Sequence, residues 1–194
     1  MNTIDVVFLD RDGVINEEVE YLHDPKDLVL IPGVVRAVRL LNERHIPVVV
    51  ITNQAGVARG YYPESQIHVL HTALSKELEK EGAHIDRYYH CPHHPEHGKN
   101  EYLVDCDCRK PKPGLLHRAA KDMHLDLRRC ALVGDKVSDI AAGVSVGCTT
   151  ILVKTGYGDK EWKTWKEDFK PSYVAADILD ATEWILRPVA YPVR

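Results

Sequence analysis

Short apolar runs recur along the chain with polar, helix-patterned stretches between them. Val6-Val7-Phe8-Leu9, Val48-Val49-Val50-Ile51, Ala131-Leu132-Val133 and Ile151-Leu152-Val153 are each unbroken by a polar residue. Runs of this length without alternation predict strands buried on both faces, as in a parallel sheet. With their flanks the expected strands are Ile4–Leu9, Pro47–Ile51, Ile85–Tyr89, Ala131–Val133 and Thr150–Val153, with Tyr173–Ala175 as a short edge strand. Between them apolar residues recur at helical spacing. Val34, Val35, Val38, Leu40 and Leu41 predict a helix to about Arg44, and Ile67, Leu70, Leu74 and Leu78 one that opens at Pro63 and ends near Gly82. Further helices are expected over Gly114–His124, from Ser138 or Asp139 to Val144, and over Ile178–Leu186. Gly56 and Gly60 punctuate a loop, and Glu161–Lys170 is a Trp/Lys-rich stretch with no assigned element. The alternation predicts a three-layer α/β/α, doubly wound parallel sheet. One domain is expected over 1–187, followed by a loose tail at 188–194.

The residues that end the strands change the picture from fold to chemistry. The first run stops at Asp10-Arg11-Asp12-Gly13, the second at Thr52-Asn53, and the fourth at Gly134-Asp135 with Asp139 four residues on. In a parallel sheet these ends share one edge, where open α/β sheets bind ligands. Carboxylates gathered there repel one another unless a cation joins them, and Mg²⁺ takes carboxylate and water oxygens together with substrate phosphate. Arg109-Lys110-Pro111-Lys112-Pro113-Gly114 brings positive charge for a phosphate just ahead of a helix N-terminus. Each piece alone has a plainer explanation: helix capping for Asp135 and Asp139, an ordinary turn for Thr52-Asn53. Their joint occurrence at strand ends favours a phosphate site.

Composition narrows the partners. The chain has 194 residues, 44% hydrophobic and 28% charged, ordinary for a globular domain. A formal net charge of −4 gives no general attraction to nucleic acid or anionic membrane. Met1 to Asp5 carry no basic residue, and the apolar run after them is too short for a signal or membrane-spanning segment. A cytoplasmic protein is expected, and a monomer, since no long apolar stripe calls for a partner. Three of the five cysteines crowd into Cys91 to Cys108 beside histidines, within an irregular segment at about 90–113. Under reducing conditions that grouping points to a metal. Cys91, Cys106 and Cys108 with one imidazole satisfy a tetrahedral Zn²⁺, the imidazole coming from His93 or from His90, His94 or His97. A staple of this kind would order the segment and aim Arg109 and Lys110 at the site. Cys130 and Cys148 read as small buried hydrophobes.

The order Asp10-x-Asp12-Gly13, Thr52-Asn53, Lys110, then Gly134-Asp135-Lys136-x-x-Asp139 resembles the four motifs of the haloacid dehalogenase superfamily of phosphohydrolases. The resemblance implies that Asp10 is the nucleophile and Asp12 the general acid and base. It implies that Thr52 and Lys110 hold the phosphoryl oxygens. Asp10, Asp135 and the backbone carbonyl of Asp12 would hold Mg²⁺, with Asp139 behind them orienting Lys136 or a metal-bound water. There is no room for a large cap domain between Gly13 and Thr52, or between Thr52 and Lys110. Within the superfamily, Cys91-Pro-His-His-Pro95 and Cys106-Asp-Cys-Arg-Lys-Pro111 resemble the branch that acts on heptose 1,7-bisphosphates, as do Asp10 to Asn16 and Thr52 to Gly60. That resemblance selects His93 as the fourth Zn²⁺ ligand, matching Cys-x-His paired with Cys-x-Cys across twelve residues. It further places Glu18, Val19, Glu20, Tyr21, Asn53, Gln54, Arg109 and Lys136 near the sugar. The implied activity is release of the 7-phosphate, in nucleotide-activated heptose and lipopolysaccharide biosynthesis. A histidinol-phosphate phosphatase, a nucleic-acid 3′-phosphatase and a non-enzymatic zinc-stapled module are the alternatives.

Overall fold

A computed structural model describes residues 4–187; the tail expected at 188–194 lies outside the described residues. Six parallel strands form one sheet: β1 (Val6–Leu9), β2 (Val48–Asn53), β3 (Arg87–Cys91), β4 (Cys130–Gly134), β5 (Thr149–Val153) and β6 (Tyr173–Ala175). Their spatial order is β3-β2-β1-β4-β5-β6. The chain winds outward from β1 through β2 to β3, then returns to the middle and winds the other way from β4. The switch point therefore lies between β1 and β4, where doubly wound sheets open a crevice beyond the strand ends.

Seven α-helices complete the described layers: α1 (Val34–Glu43), α2 (Ala55–Arg59), α3 (Ser65–Glu79), α4 (Gly114–Met123), α5 (Val137–Ser145), α6 (Gly158–Lys163) and α7 (Ile178–Ile185). The unbroken apolar run of β1 is explained by packing on both faces. Val7 and Leu9 join Val38 and Leu41 of α1 and Ile178 and Ala181 of α7. Val6 and Phe8 face the other way, onto Leu115, Leu116 and Ala119 of α4 and Ala142 of α5. No described helix is long and apolar enough to cross a membrane.

Three departures from the sequence expectations matter to the site. The third strand is Arg87–Cys91, two residues later than Ile85–Tyr89, because its ladder with β2 runs on to Asn53 opposite Cys91. Asp86 then stands just before the strand, its carboxylate accepting from the Val48 N–H at 2.7 Å. Second, Gly56 sits inside α2 rather than in a loop. The Tyr62 ring occupies the space a β-carbon would need there, and Gly60 ends the helix at φ +74°. Third, the long helix starts at Ser65, two residues after Pro63, while Glu64 is engaged instead by His90 and Tyr102. The Trp/Lys-rich stretch is helical only in its first part, as α6, after which Trp165 donates to the Phe169 carbonyl at 2.8 Å.

Candidate active site

Asp10 is the first residue after β1 and Asp135 the first after β4, so the two carboxylates flank the switch point. Both are buried, as are Thr52, Lys110 and Asp139. Lys110 reaches in from the loop ahead of α4. Its ammonium lies 2.9 Å from Asp10 Oδ1 and 2.7 Å from Asp139 Oδ1, and donates to the Ile51 carbonyl at 2.8 Å. Asn53 locks that loop to the end of β2: its Nδ2 donates to the Lys110 carbonyl and its Oδ1 accepts from the Lys110 N–H, at 3.0 and 3.1 Å.

The carboxylate cluster lacks sufficient positive charge. Burial and the charges of Asp139 and Asp12 raise Asp10 to about 6, with Lys110 opposing. Burial, Asp10 and Asp139 raise Asp135 to about 8. Burial alone would lower Lys110, but Asp10 and Asp139 outweigh it and raise its pKa. Oxygens of Asp10, Asp135 and Asp139 lie within 4.8 Å of one another. Asp135 Oδ1 is buried without a hydrogen-bond partner, while Oδ2 accepts from the Tyr157 N–H at 2.9 Å. A buried anionic oxygen left open beside other carboxylates fits a hard divalent cation. Gly13 and Gly156 crowd against the Asp135 carboxylate, so a β-carbon at either would strike it.

Asp12 is held differently. Burial works to raise its pKa, but the Arg11 guanidinium and hydrogen bonds from Asn16 and Gln54 hold it below the usual carboxylate range. Arg11 Nη2 spans both oxygens at 3.0 and 2.9 Å, Asn16 Nδ2 donates to Oδ1 at 2.9 Å, and Gln54 Nε2 to Oδ2 at 3.0 Å. Gln54 is occupied throughout: Nε2 also donates to Thr52 Oγ1 at 2.8 Å, and Oε1 accepts from Arg11 and Tyr62. Because the Thr52 oxygen already accepts, its own hydrogen is free to point elsewhere.

A cavity of about 510 Å³ opens onto this edge and brings together the expected residues Glu18, Val19, Glu20, Tyr21, Thr52, Asn53, Gln54, Arg109, Lys110 and Lys136. Lys136 Nζ pairs with Glu18 at 2.9 Å and lies 4.5 Å from the Tyr157 ring centroid. Asp139 meets Lys136 where α5 begins. Its Oδ2 accepts the Lys136 backbone N–H at 3.0 Å, and its other oxygen meets Lys110.

The second cluster lies beside the first. Cys91 ends β3, and Cys91 Sγ, His93 Nδ1, Cys106 Sγ and Cys108 Sγ lie within 4.8 Å of one another. Neighbouring separations run from 3.2 Å (Cys106–Cys108) to 3.8 Å (Cys91–His93). Tetrahedral Zn²⁺ with bonds of about 2.3 Å to sulfur spaces its ligands at about 3.8 Å. The other histidines are engaged elsewhere. His90 pairs with Glu64 at 2.8 Å, and His94 Nδ1 accepts from the backbone of Glu96 and His97. Arg109, which lines the cavity, donates from Nη1 to the His93 carbonyl at 3.2 Å. Cys130 and Cys148 are buried.

Several site residues escaped the sequence reading. Arg11, Asn16 and Tyr62 hold the Asp12 and Gln54 side chains, and Arg59 lines the cavity. Thr155 donates to the Gly13 carbonyl at 2.6 Å from the loop after β5. That loop follows a strand ending on the same edge, a signal present in the sequence.

Fold and site together are those of a phosphohydrolase of the haloacid dehalogenase type. The family described as "HAD-hyrolase-like" matches residues 107–181. The D-glycero-D-manno-heptose-1,7-bisphosphate 7-phosphatase of Thermosynechococcus vestitus is 44% identical, the match covering 95% of this chain and 96% of that one. The D-glycero-alpha-D-manno-heptose-1,7-bisphosphate 7-phosphatase of Photorhabdus laumondii is 43% identical, over 82% and 88% of the two chains. The solved D,D-heptose 1,7-bisphosphate phosphatase of B. bronchiseptica, complexed with magnesium and phosphate, superimposes with a TM-score of 0.85 at 30% identity, covering 94% of this chain and 98% of that one. The chain belongs to this family of heptose-bisphosphate phosphatases, within the HAD-like hydrolases.

Proposed function

We propose that the protein hydrolyses the 7-phosphate of D-glycero-D-manno-heptose 1,7-bisphosphate in two displacements at Asp10. The observation that carries the reading is the pairing of Asp10 with Lys110 at the switch point, two residues before a separately held Asp12. Asp10 attacks phosphorus; the bond from phosphorus to the C7 oxygen breaks, and an aspartyl-phosphate forms. Asp12, ionised in the free protein under the pull of Arg11, takes up a proton as the phosphate dianion binds beside it and gives that proton to the departing oxygen. As a carboxylate it then takes a proton from the water that attacks the aspartyl-phosphate, which frees phosphate and Asp10. Thr52 and Lys110 donate to the phosphoryl oxygens, and the hydrogen bond from Gln54 directs the Thr52 hydroxyl toward them. Asp10, Asp135 and the Asp12 carbonyl would hold Mg²⁺, which supplies charge neutralisation to the phosphoryl group. Asp139 fixes Lys110 and caps α5.

Cys91, His93, Cys106 and Cys108 would hold a structural Zn²⁺ that orders the loop behind Arg109 and Lys110. The substrate is read from the relatives' names together with a cavity lined by cations and by Glu18 to Tyr21. No observation favours histidinol phosphate or a nucleic-acid end. The test is a phosphate-release panel with both anomers of heptose 1,7-bisphosphate, histidinol phosphate and a 3′-phosphorylated oligonucleotide. Preference for a heptose bisphosphate is expected; equal or better turnover of either other class would overturn the reading.

A further inference from the structure

The inward face of α3 carries one polar side chain. Ile67, Leu70, Leu74 and Leu78 are buried along it, and His71 stands among them, 5% exposed. The imidazole stacks on Tyr88 of β3, with ring centroids 4.4 Å and planes 20° apart, and the Tyr88 hydroxyl meets Ser75 Oγ at 2.9 Å. His71 lines a second cavity of about 530 Å³, with Tyr88 and His90, and not the catalytic one. On the catalytic side its Nε2 lies 3.5 Å from Arg11 Nη1.

Arg11 is the side chain that needs this neighbour. It is 1% exposed, and its carboxylate partner among the described residues is Asp12. Its Nε and Nη2 are engaged by Asp12 and Gln54. Among the described residues the one partner of Nη1 is His71. A guanidinium has only donors, and a buried donor without an acceptor is costly, so without His71 the planar group would shift to relieve it. Such a shift would carry Asp12 along, because the same guanidinium spans both carboxylate oxygens. To accept, Nε2 must carry no proton, and the ring must be neutral. Burial, with the charges of Arg11, His90 and His68, holds His71 far below the ordinary imidazole range, at about 2.

We infer that His71 is a positioning residue for the general acid: it accepts from Arg11 and so holds the guanidinium that sets where the Asp12 carboxylate points. This rests on the reading of Asp12 as the group that protonates the departing oxygen. The contact is long for a hydrogen bond, so its loss weakens proton delivery by degrees rather than abolishing it. A basic leaving oxygen depends on that proton, whereas one that departs as a stable anion hardly does. Loss of the His71 acceptor is therefore felt in proportion to leaving-group basicity, a pattern that general loosening of the fold does not produce.

The test measures kcat/KM for phenyl phosphate and p-nitrophenyl phosphate, similar in shape but different in leaving-group basicity. This constant reports the step in which the leaving group departs, before the aspartyl-phosphate is hydrolysed, and neither substrate is a sugar, so the heptose reading is not at stake. The Zn- and Mg-loaded wild type is compared with His71→Phe, which keeps a ring against Tyr88 without an acceptor, and His71→Gln, which keeps an acceptor without the ring. The phenyl to p-nitrophenyl ratio is expected to fall about fivefold in His71→Phe, as for a misdirected proton donor, and to stay near wild type in His71→Gln. A ratio unchanged in His71→Phe, or lost equally in His71→Gln, overturns the inference and leaves Asp12 as the acid. A wild type that itself prefers p-nitrophenyl phosphate by more than about 10²-fold delivers no proton to the leaving group, and the reading of Asp12 fails together with the inference. If His71→Phe does not fold, nitrogen-15 NMR of the wild type decides: an unprotonated Nε2 is expected on His71, and a proton there overturns the assignment.

Discussion

At the carboxyl edge of the sheet, Asp10, Thr52 and Asp135 stand in or one residue beyond strands whose side chains are buried on both faces. In the neighbouring loop, Pro92 is the one buried residue between positions 92 and 108, and Leu103 and Val104 are left exposed. The first region is positioned by apolar packing that exists before any ligand arrives. The second has almost no core of its own and converges on four ligand atoms. In the proposed mechanism the edge therefore carries the chemistry on a packed frame. The loop contributes through two connections, the Arg109 hydrogen bond to His93 and the Lys110 backbone held by Asn53. Metal dependence is predicted to divide the same way: Mg²⁺ for turnover, Zn²⁺ for the order of the loop and the grip on substrate.

The largest expected effect breaks the edge alone. Asp10→Asn removes the nucleophile and lowers kcat by at least about 10⁴-fold, while circular dichroism and Zn content stay as in wild type. Retention of activity would remove Asp10 from the centre of the account. Next in size, Cys106→Ser or removal of Zn²⁺ by a chelator breaks the loop. About one Zn²⁺ per chain is expected by elemental analysis, and its loss lowers the melting temperature. It also raises KM for the bisphosphate more than for p-nitrophenyl phosphate. An equal loss on both substrates would show that the two regions are not separable.

A smaller effect is expected at Gly13, at φ +84° against the Asp135 carboxylate. Gly13→Ala places a β-carbon in that contact and a non-glycine residue in a left-handed conformation, costing about 1–2 kcal/mol for the conformation alone. Its diagnostic signature is a weaker Mg²⁺ activation constant. The smallest effect is a pH dependence. Asp10 at about 6 and Asp135 at about 8 lie above ordinary carboxylate values, with burial as the first cause in each. Between roughly pH 4 and 8 the folded, metal-free protein binds more protons than the unfolded chain, so its stability falls as pH rises through this window. A cation at the carboxylates relieves this, so the melting-temperature gain on adding Mg²⁺ grows from pH 5 to pH 8. A gain that shrinks instead would place the cation elsewhere.

The parts legible in the sequence were those written as local contrast. Each central strand is a short apolar run stopping at a polar residue, so Asp10, Thr52 and Asp135 could be put on one edge before any coordinates. Cys91, Cys106 and Cys108 were legible because thiols crowd there with little apolar neighbourhood. β3 was displaced by two residues because Arg87, Tyr88, Tyr89 and His90 form a half-buried strand without the apolar run that marks the others. α2 was hidden by Gly56 and Gly60, whose reasons are the Tyr62 ring and a left-handed cap. With α2 hidden, Arg59 went unnoticed. Arg11, almost fully buried, gives no sequence signal for its grip on Asp12, since burial of a charge is decided by partners distant in the chain. Gln54 was expected at the sugar; the structure shows each of its polar atoms engaged by protein groups.

The most direct test of the central claim is chemical trapping during turnover. The enzyme is mixed with excess sugar bisphosphate and Mg²⁺, quenched in acid and reduced with borohydride, and its peptides are then sequenced by mass spectrometry. An aspartyl-phosphate at Asp10 is reduced to homoserine, so homoserine is expected at position 10 in the wild type and nowhere in Asp10→Asn. Reduction at another carboxylate, or none under conditions of steady turnover, would contradict the account.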